Sequence, residues 1–182
     1  MGQLIKHDLY RYAGATGTKA FLKSWFEPGF RYTYILRKVN SYKRNSFLGI
    51  IYRVFLRRYS HRYGIQIPQG IQIGKGFFIG HFGNIIINEN AVIGENCNVA
   101  PGITIGQTNR GKKKGCPQLG NYVWVGTGSV LVGNIKVGNN VLIAPLSYVN
   151  IDVPDNSVVI GNPCKIIPNE NATTDYINKV LK

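Results

Sequence analysis

Three histidines occur in this chain, His7, His61 and His81, and only His81 lies in a glycine-rich break between apolar runs, Gly80-His81-Phe82-Gly83-Asn84. Histidine titrates near neutrality, so its imidazole can accept a proton from an attacking group and return one to a departing group. His81 is the candidate general base; the alternative is a loop histidine that only hydrogen-bonds backbone. Cys97, Cys116 and Cys164 are widely spaced and form no Cys-x-x-Cys pair. Neither a disulfide framework nor a thiolate zinc site is indicated, no metal is expected, and a reducing compartment is the default. Nothing near Cys116 in sequence would activate it as a nucleophile. Lys112, Lys113 and Lys114 could attract phosphate, although such a run is usually a solvated loop.

The elements that must hold these residues follow a period of six. Ile67, Ile73 and Ile79, then Ile87, Ile93, Val99 and Ile105, then Leu119, Val125, Leu131, Val137, Ile143 and Val149 are all Ile, Val or Leu. The next residue is Gly in seven cases, Ala in two and Asn in two. Period six is neither helix nor alternating strand. It fits a prism-shaped coil with three short strands per turn, the branched residue pointing to the axis. The following Gly or Asn is expected to round the corner at positive φ. The phase slips twice, by two residues around His81 and by eight through Gln107–Gln118. Departures from a local rule mark functional sites.

Before Gly64 the texture changes. Residues 1–63 carry 13 Lys or Arg against Asp8 and Glu27, a net charge of +11 out of +14 for all 182 residues, and 14 of the 21 aromatics. The stretches FRYTYILRKV and FLGIIYRVFLRRY have helical spacing. Phe47, Ile50, Ile51, Val54 and Phe55 fit one face, with Arg53, Arg57 and Arg58 largely elsewhere. The preferred reading is a helical arm packed on the main domain or a neighbouring subunit. The competing one is a peripheral membrane contact. Nucleic acid ranks lower, because no recognised motif appears. The N-terminus has no apolar stretch of the signal-peptide kind, and no uncharged apolar run is long enough to span a bilayer. A cytoplasmic protein is expected, with the inner membrane face as an optional site.

The run IQIGKGFFIGHFGNIIINENAVIGENCNVAPGITIG resembles the hexapeptide-repeat β-helix of the serine acetyltransferase family. The two insertions have the family's lengths, and VPDNSVVIGNPCKII is similar to its closing segment. The resemblance covers roughly residues 64–167 and extends weakly into EPGFRYTYILR. It implies a mainly β fold: a left-handed parallel β-helix over 64–167, an N-terminal α-helical arm over 1–63, and a tail over 168–182 with a short helix as one option. It also implies a homotrimer and acetyl-CoA as cosubstrate.

His81 matches the family's catalytic histidine, which would deprotonate a hydroxyl attacking a thioester. Gly126 and Thr127 match small residues along the cofactor groove, Ala144 and Pro145 match the corner of the next coil, and Lys165 matches a basic residue suited to a CoA phosphate. Asn84, in the first slip, and Cys116, in the second, are assigned to the acceptor. Three departures bear on that acceptor: Gly80 stands where the family has Asp, and Gly115 and Cys116 where it has Arg-His. A site without charged partners should not favour a zwitterion. The expected acceptor is therefore a saccharide, free or lipid-linked, as in capsule and exopolysaccharide acetyltransferases, with serine as the alternative. A non-catalytic scaffold is the second alternative. With Gly80 in place of Asp, a backbone carbonyl is expected to hold the second nitrogen of His81. A γ-class carbonic anhydrase would need three histidines in the coil, and there is one.

Overall fold

The computed structural model describes residues 2–181. Four helices come first: α1 (Gln3–Ala13), α2 (Thr18–Ser24), α3 (Pro28–Ser41) and α4 (Phe47–Tyr63). Pro28 opens α3, where its missing N–H costs nothing. The Ser46 side chain accepts from the Gly49 N–H to start α4, and Gly64, at φ 66°, ends it. Among the described residues, no helix is long and apolar enough to cross a membrane.

The coil has five turns. The first holds β1 (Ile65–Gln66), β2 (Gln72–Ile73) and β3 (Phe78–Ile79); the second β4 (Ile85–Ile87), β5 (Val92–Ile93) and β6 (Asn98–Val99). The third holds β7 (Thr104–Gly106), β8 (Gln118–Leu119) and β9 (Val123–Val125); the fourth β10 (Val130–Val132), β11 (Lys136–Val137) and β12 (Val141–Ile143). The fifth holds β13 (Tyr148–Val149), a single bridge at Val153 and β14 (Ser157–Ile160). Strands one coil apart pair in parallel, making a prism with three faces: β1-β4-β7-β10-β13 (face I), β2-β5-β8-β11 (face II) and β3-β6-β9-β12-β14 (face III). β15 (Lys165–Pro168) turns back antiparallel on β14. Residues 169–177 then run through successive turns rather than a helix, with Tyr176 packed on Trp124.

All 13 residues of the period-six ladder are buried. A second inward ladder lies two residues earlier and includes Ile65, Phe77, Cys97, Ile103 and Val123. The corner expectation needs correction. The glycines that follow the ladder residues are not at positive φ; the left-handed position is two residues further on, at Gly76, Asn96, Gly102, Asn140 and Asn156 among others. The earlier glycines answer to close approach instead. Gly74, Gly94, Gly120 and Gly138 stack down the edge between faces II and III. A Cβ on Gly94 would lie 2.3 Å from the Gly120 oxygen, and one on Gly74 2.6 Å from Gly94.

The arm packs on the open end of the prism and supplies polar partners to all three strands of the first coil. The Tyr32 hydroxyl meets the Ile65 and Ile67 carbonyls and the Ile67 N–H. Arg37 donates to the Ile73 and Gly74 carbonyls, and its guanidinium is paired with buried Asp8, Nε to Oδ2 at 2.8 Å. Asp8 also accepts the Phe77 N–H. An unpaired strand edge is a liability, and here the helices cover it. The direction of α4 is the opposite of what its apolar stripe suggests. Its buried residues, Gly49, Leu56 and Tyr63, form a narrow seam seven residues apart, while Phe47, Ile50, Val54 and Phe55 face outward and Ile51 is half-buried.

Candidate active site

The two register slips emerge on different edges of the prism. Residues 80–84 link β3 to β4, at the edge where face III passes to face I. Residues 107–117 link β7 to β8, at the edge where face I passes to face II. Within one chain, face I separates His81 from Cys116.

The His81 edge gathers most of the expected residues. One coil below it lies Pro101, which a Cβ on Gly83 would approach to 3.1 Å. The Gly128 N–H reaches the Pro101 carbonyl at 3.0 Å, and the Leu146 N–H reaches that of Thr127 at 2.9 Å. Gly126 and Thr127 thus sit two rungs from the His81 loop and Ala144 and Pro145 three, roughly 10 and 14 Å along the axis at the usual spacing. Lys165 is exposed at the start of β15, one corner further on. Thr127, Pro145 and Leu146 are exposed, giving an open strip below His81. The N–H groups of Gly126 and Ala144 are committed to the carbonyls of Ile143 and Val159, so neither can donate to a bound group.

The helical arm fixes the His81 loop. The Tyr12 hydroxyl binds both the N–H and the carbonyl of Ile79, two residues before His81. The Gly83 N–H donates to the Tyr63 carbonyl at 3.0 Å, and the Tyr63 and Phe82 rings are 6.0 Å apart. His81 and Asn84 are both exposed. The His81 ring makes no hydrogen bond to another described residue, so the expected backbone carbonyl partner is absent within one chain: the ring lies on an open edge, out of reach of the ladder.

The second insertion is a small hairpin, closed by reciprocal hydrogen bonds between Thr108 and Gly115. Lys113 pairs with Asp152 at 2.9 Å, which leaves Arg110, Lys112 and Lys114 as the exposed charges of this loop. Cys116 is buried, its Sγ 3.2 Å from Asn88 Oδ1. Burial pushes its thiol upward, and the Glu89 carboxylate adds to this, so it stays protonated at neutral pH and is a poor nucleophile. Cys116 and Asn84 are not brought together in one chain.

Two contributors escape a reading of the sequence. Tyr12 acts across 67 residues, and no local pattern announces it. Leu146, exposed at φ 60°, takes a corner position where most others carry Gly or Asn and Tyr122, at φ 56°, is the other exception; its signal in the sequence is a leucine two residues after Ala144. Such strain persists at functional positions.

No protein-family model matches the chain. Over 115 residues it is 35% identical to the serine acetyltransferase of Synechococcus elongatus, covering 63% of this chain and 47% of that protein. The chain spans about half the length of the curated relatives it matches. In fold it resembles Brucella abortus serine acetyltransferase in complex with coenzyme A, with a TM-score of 0.75, 26% identity, and coverage of 91% of this chain and 67% of that one. It also resembles the Neisseria gonorrhoeae serine acetyltransferase in complex with serine, with a TM-score of 0.71, 26% identity, and coverage of 91% and 68%. Sequence and fold together align the chain with the serine acetyltransferases and their hexapeptide-repeat β-helix. These names overturn the expected saccharide acceptor and the likeness to capsule and exopolysaccharide enzymes. The expectation counted the loss of charge at Gly115 and Cys116 but not the exposed charges that the same hairpin keeps, Arg110, Lys112 and Lys114.

Proposed function

We propose that this chain transfers an acetyl group from acetyl-CoA to the hydroxyl of L-serine, with His81 as general base. The observation that carries the reading is the single prism edge along which His81, Thr127, Pro145 and Lys165 follow one another. The complexes of the Brucella protein with coenzyme A and of the Neisseria protein with serine support the two substrates. In this reading the acyl carrier lies along the exposed strip, with Lys165 near its phosphates. His81 takes the serine hydroxyl proton as the oxygen attacks the acetyl carbonyl carbon. The carbon–sulfur bond breaks, and the proton passes to the departing sulfur. Donors for the charge developing on the carbonyl oxygen must come from N–H groups other than those of Gly126 and Ala144.

The acceptor site is completed by a neighbouring copy in a homotrimer. This is supported by the separation of the two insertions, since a hairpin one face away can meet His81 only from another chain. Arg110, Lys112 and Lys114 of that hairpin are then the groups available to the serine carboxylate.

Thiol release from acetyl-CoA in the presence of L-serine tests the reading. The wild-type chain should show serine-dependent release, and His81→Ala should lower it by about 10² to 10⁴ without changing the assembly. Mixing His81→Ala with a chain lacking residues 109–114 should restore part of the activity if the site is shared. No serine-dependent release by the wild-type chain would refute the assignment.

A further inference from the structure

The outward face of α4 has no partner within the chain. Phe47 is 78% exposed, Val54 63%, Ile50 52% and Phe55 43%. The apolar side chains occupy the N-terminal half of this face, and Arg57, Arg58 and Arg62 follow on its C-terminal half, all exposed. Lys43 and Arg44, exposed in the preceding loop, flank it at the other end. Beside it an apolar groove of about 320 Å³ opens between Trp25, Tyr34, Leu48, Tyr52, Phe55 and Tyr59. From Pro28 to Asn88 the chain carries ten Lys or Arg and no Asp or Glu. None of the three ion pairs among the described residues involves the α4 arginines or the flanking Lys43 and Arg44.

We propose that the outer face of α4 docks on an anionic lipid bilayer, its phenylalanines and branched residues at the acyl boundary and its arginines on the headgroups. The occupant is chosen by charge. An apolar patch alone would suit a second copy, but α4 facing α4 would bring Arg57, Arg58 and Arg62 of each chain together with no acid to neutralise them. A bilayer interface supplies apolar depth and negative charge at once. An aromatic-walled groove continuous with the patch fits the same boundary, where Trp and Tyr rings meet headgroups.

Sedimentation of the full chain with vesicles tests this, using phosphatidylcholine alone or mixed with phosphatidylglycerol, at low and high salt. Binding to the anionic vesicles, weakened by salt, is expected, with little on the neutral ones. R57Q/R58Q/R62Q should weaken it about a hundredfold, at about fivefold per arginine. F47S/V54S/F55S should abolish the remainder that resists salt. Both variants should keep the far-ultraviolet spectrum and serine-dependent thiol release of the wild type, since neither touches the His81 edge. Equal binding to neutral and anionic vesicles, or none to either, overturns the proposal. If F47S/V54S/F55S instead lowers the mass of the assembly and the wild type ignores vesicles, the face is a subunit interface. An acidic protein as partner would be indicated by salt-sensitive binding to polyglutamate with none to vesicles, and would equally overturn it.

Discussion

The Tyr12 hydroxyl accepts the N–H of Ile79 at 2.9 Å and donates to the carbonyl of the same residue at 3.1 Å. One phenol thus satisfies both free backbone groups of an edge strand, two residues before His81. Gly29 permits the approach, since a Cβ there would lie 2.8 Å from the Tyr12 oxygen and 2.1 Å from the Ile79 oxygen. Tyr12→Phe keeps the ring and strands both groups. It should cost about 1–3 kcal/mol of stability. It should also lower kcat for thiol release with little change in KM for acetyl-CoA, because the strip beyond Pro101 is untouched. Denaturant melts alongside steady-state kinetics check both; an unchanged kcat would mean that the His81 loop is held by Tyr63 alone.

The Asp8–Arg37 pair ties α1 to α3 and both to β2 and β3. Removing one partner leaves the other buried and charged, which typically costs 3–5 kcal/mol. Arg37→Met and Asp8→Asn should each destabilise strongly. The double variant should lose less than the two singles together, because no charge is then left alone. Chemical denaturation of the four species measures the coupling. Additive losses would show that Arg37 acts through the Ile73 and Gly74 carbonyls rather than through Asp8.

Much of this architecture is legible in the sequence because burial recurs at fixed intervals. Ile79, Ile105 and Val125 are always apolar, so the six-residue ladder stands out. The second ladder is hidden because it admits Cys97, Ser129 and Ser147 as well as Ile and Val, the serine hydroxyls being satisfied by the Ala144 carbonyl. Gly94 signals a corner, but composition alone cannot distinguish a left-handed φ from a backbone that passes within contact distance. The stripe on α4 is periodic, yet periodicity does not say which side meets the protein. His81 is singled out by its register slip, whereas the edge it shares with Thr127 depends on counting coils. Tyr12 had no local signature at all.

Cys97 gives a prediction at alkaline pH. Complete burial pushes its thiol up to about 12. In the unfolded chain the group ionises from about pH 9, so above that the unfolded state binds fewer protons than the folded one. Stability should therefore fall as pH rises above about 9, by up to ~1.4 kcal/mol per pH unit from this group. Cys97→Ala should flatten that limb and lower stability at neutral pH by about 1 kcal/mol, through the small cavity it leaves. Melts between pH 7 and 11 provide the comparison. Parallel alkaline limbs for the two proteins would assign the loss to other groups.

Gly80 offers a direct test of how His81 is oriented. It is not in the left-handed region, and a Cβ there would meet only the Phe78 ring, 3.2 Å away at its nearest atom. Gly80→Asp should therefore fold with little loss. The new carboxylate would stand next to an imidazole that has no hydrogen-bond partner within the chain, and an adjacent negative charge favours the protonated ring. The acid limb of the pH profile of kcat/KM should move upward, by about one pH unit. Above that limb the rate should rise if the carboxylate also holds the ring in position. Gly80→Asn supplies a similar shape without the charge and should leave the limb where it is. If Gly80→Asp and Gly80→Asn move the limb equally, the effect is not electrostatic. If neither changes the profile, His81 does not set the acid limb, and its assignment as general base fails.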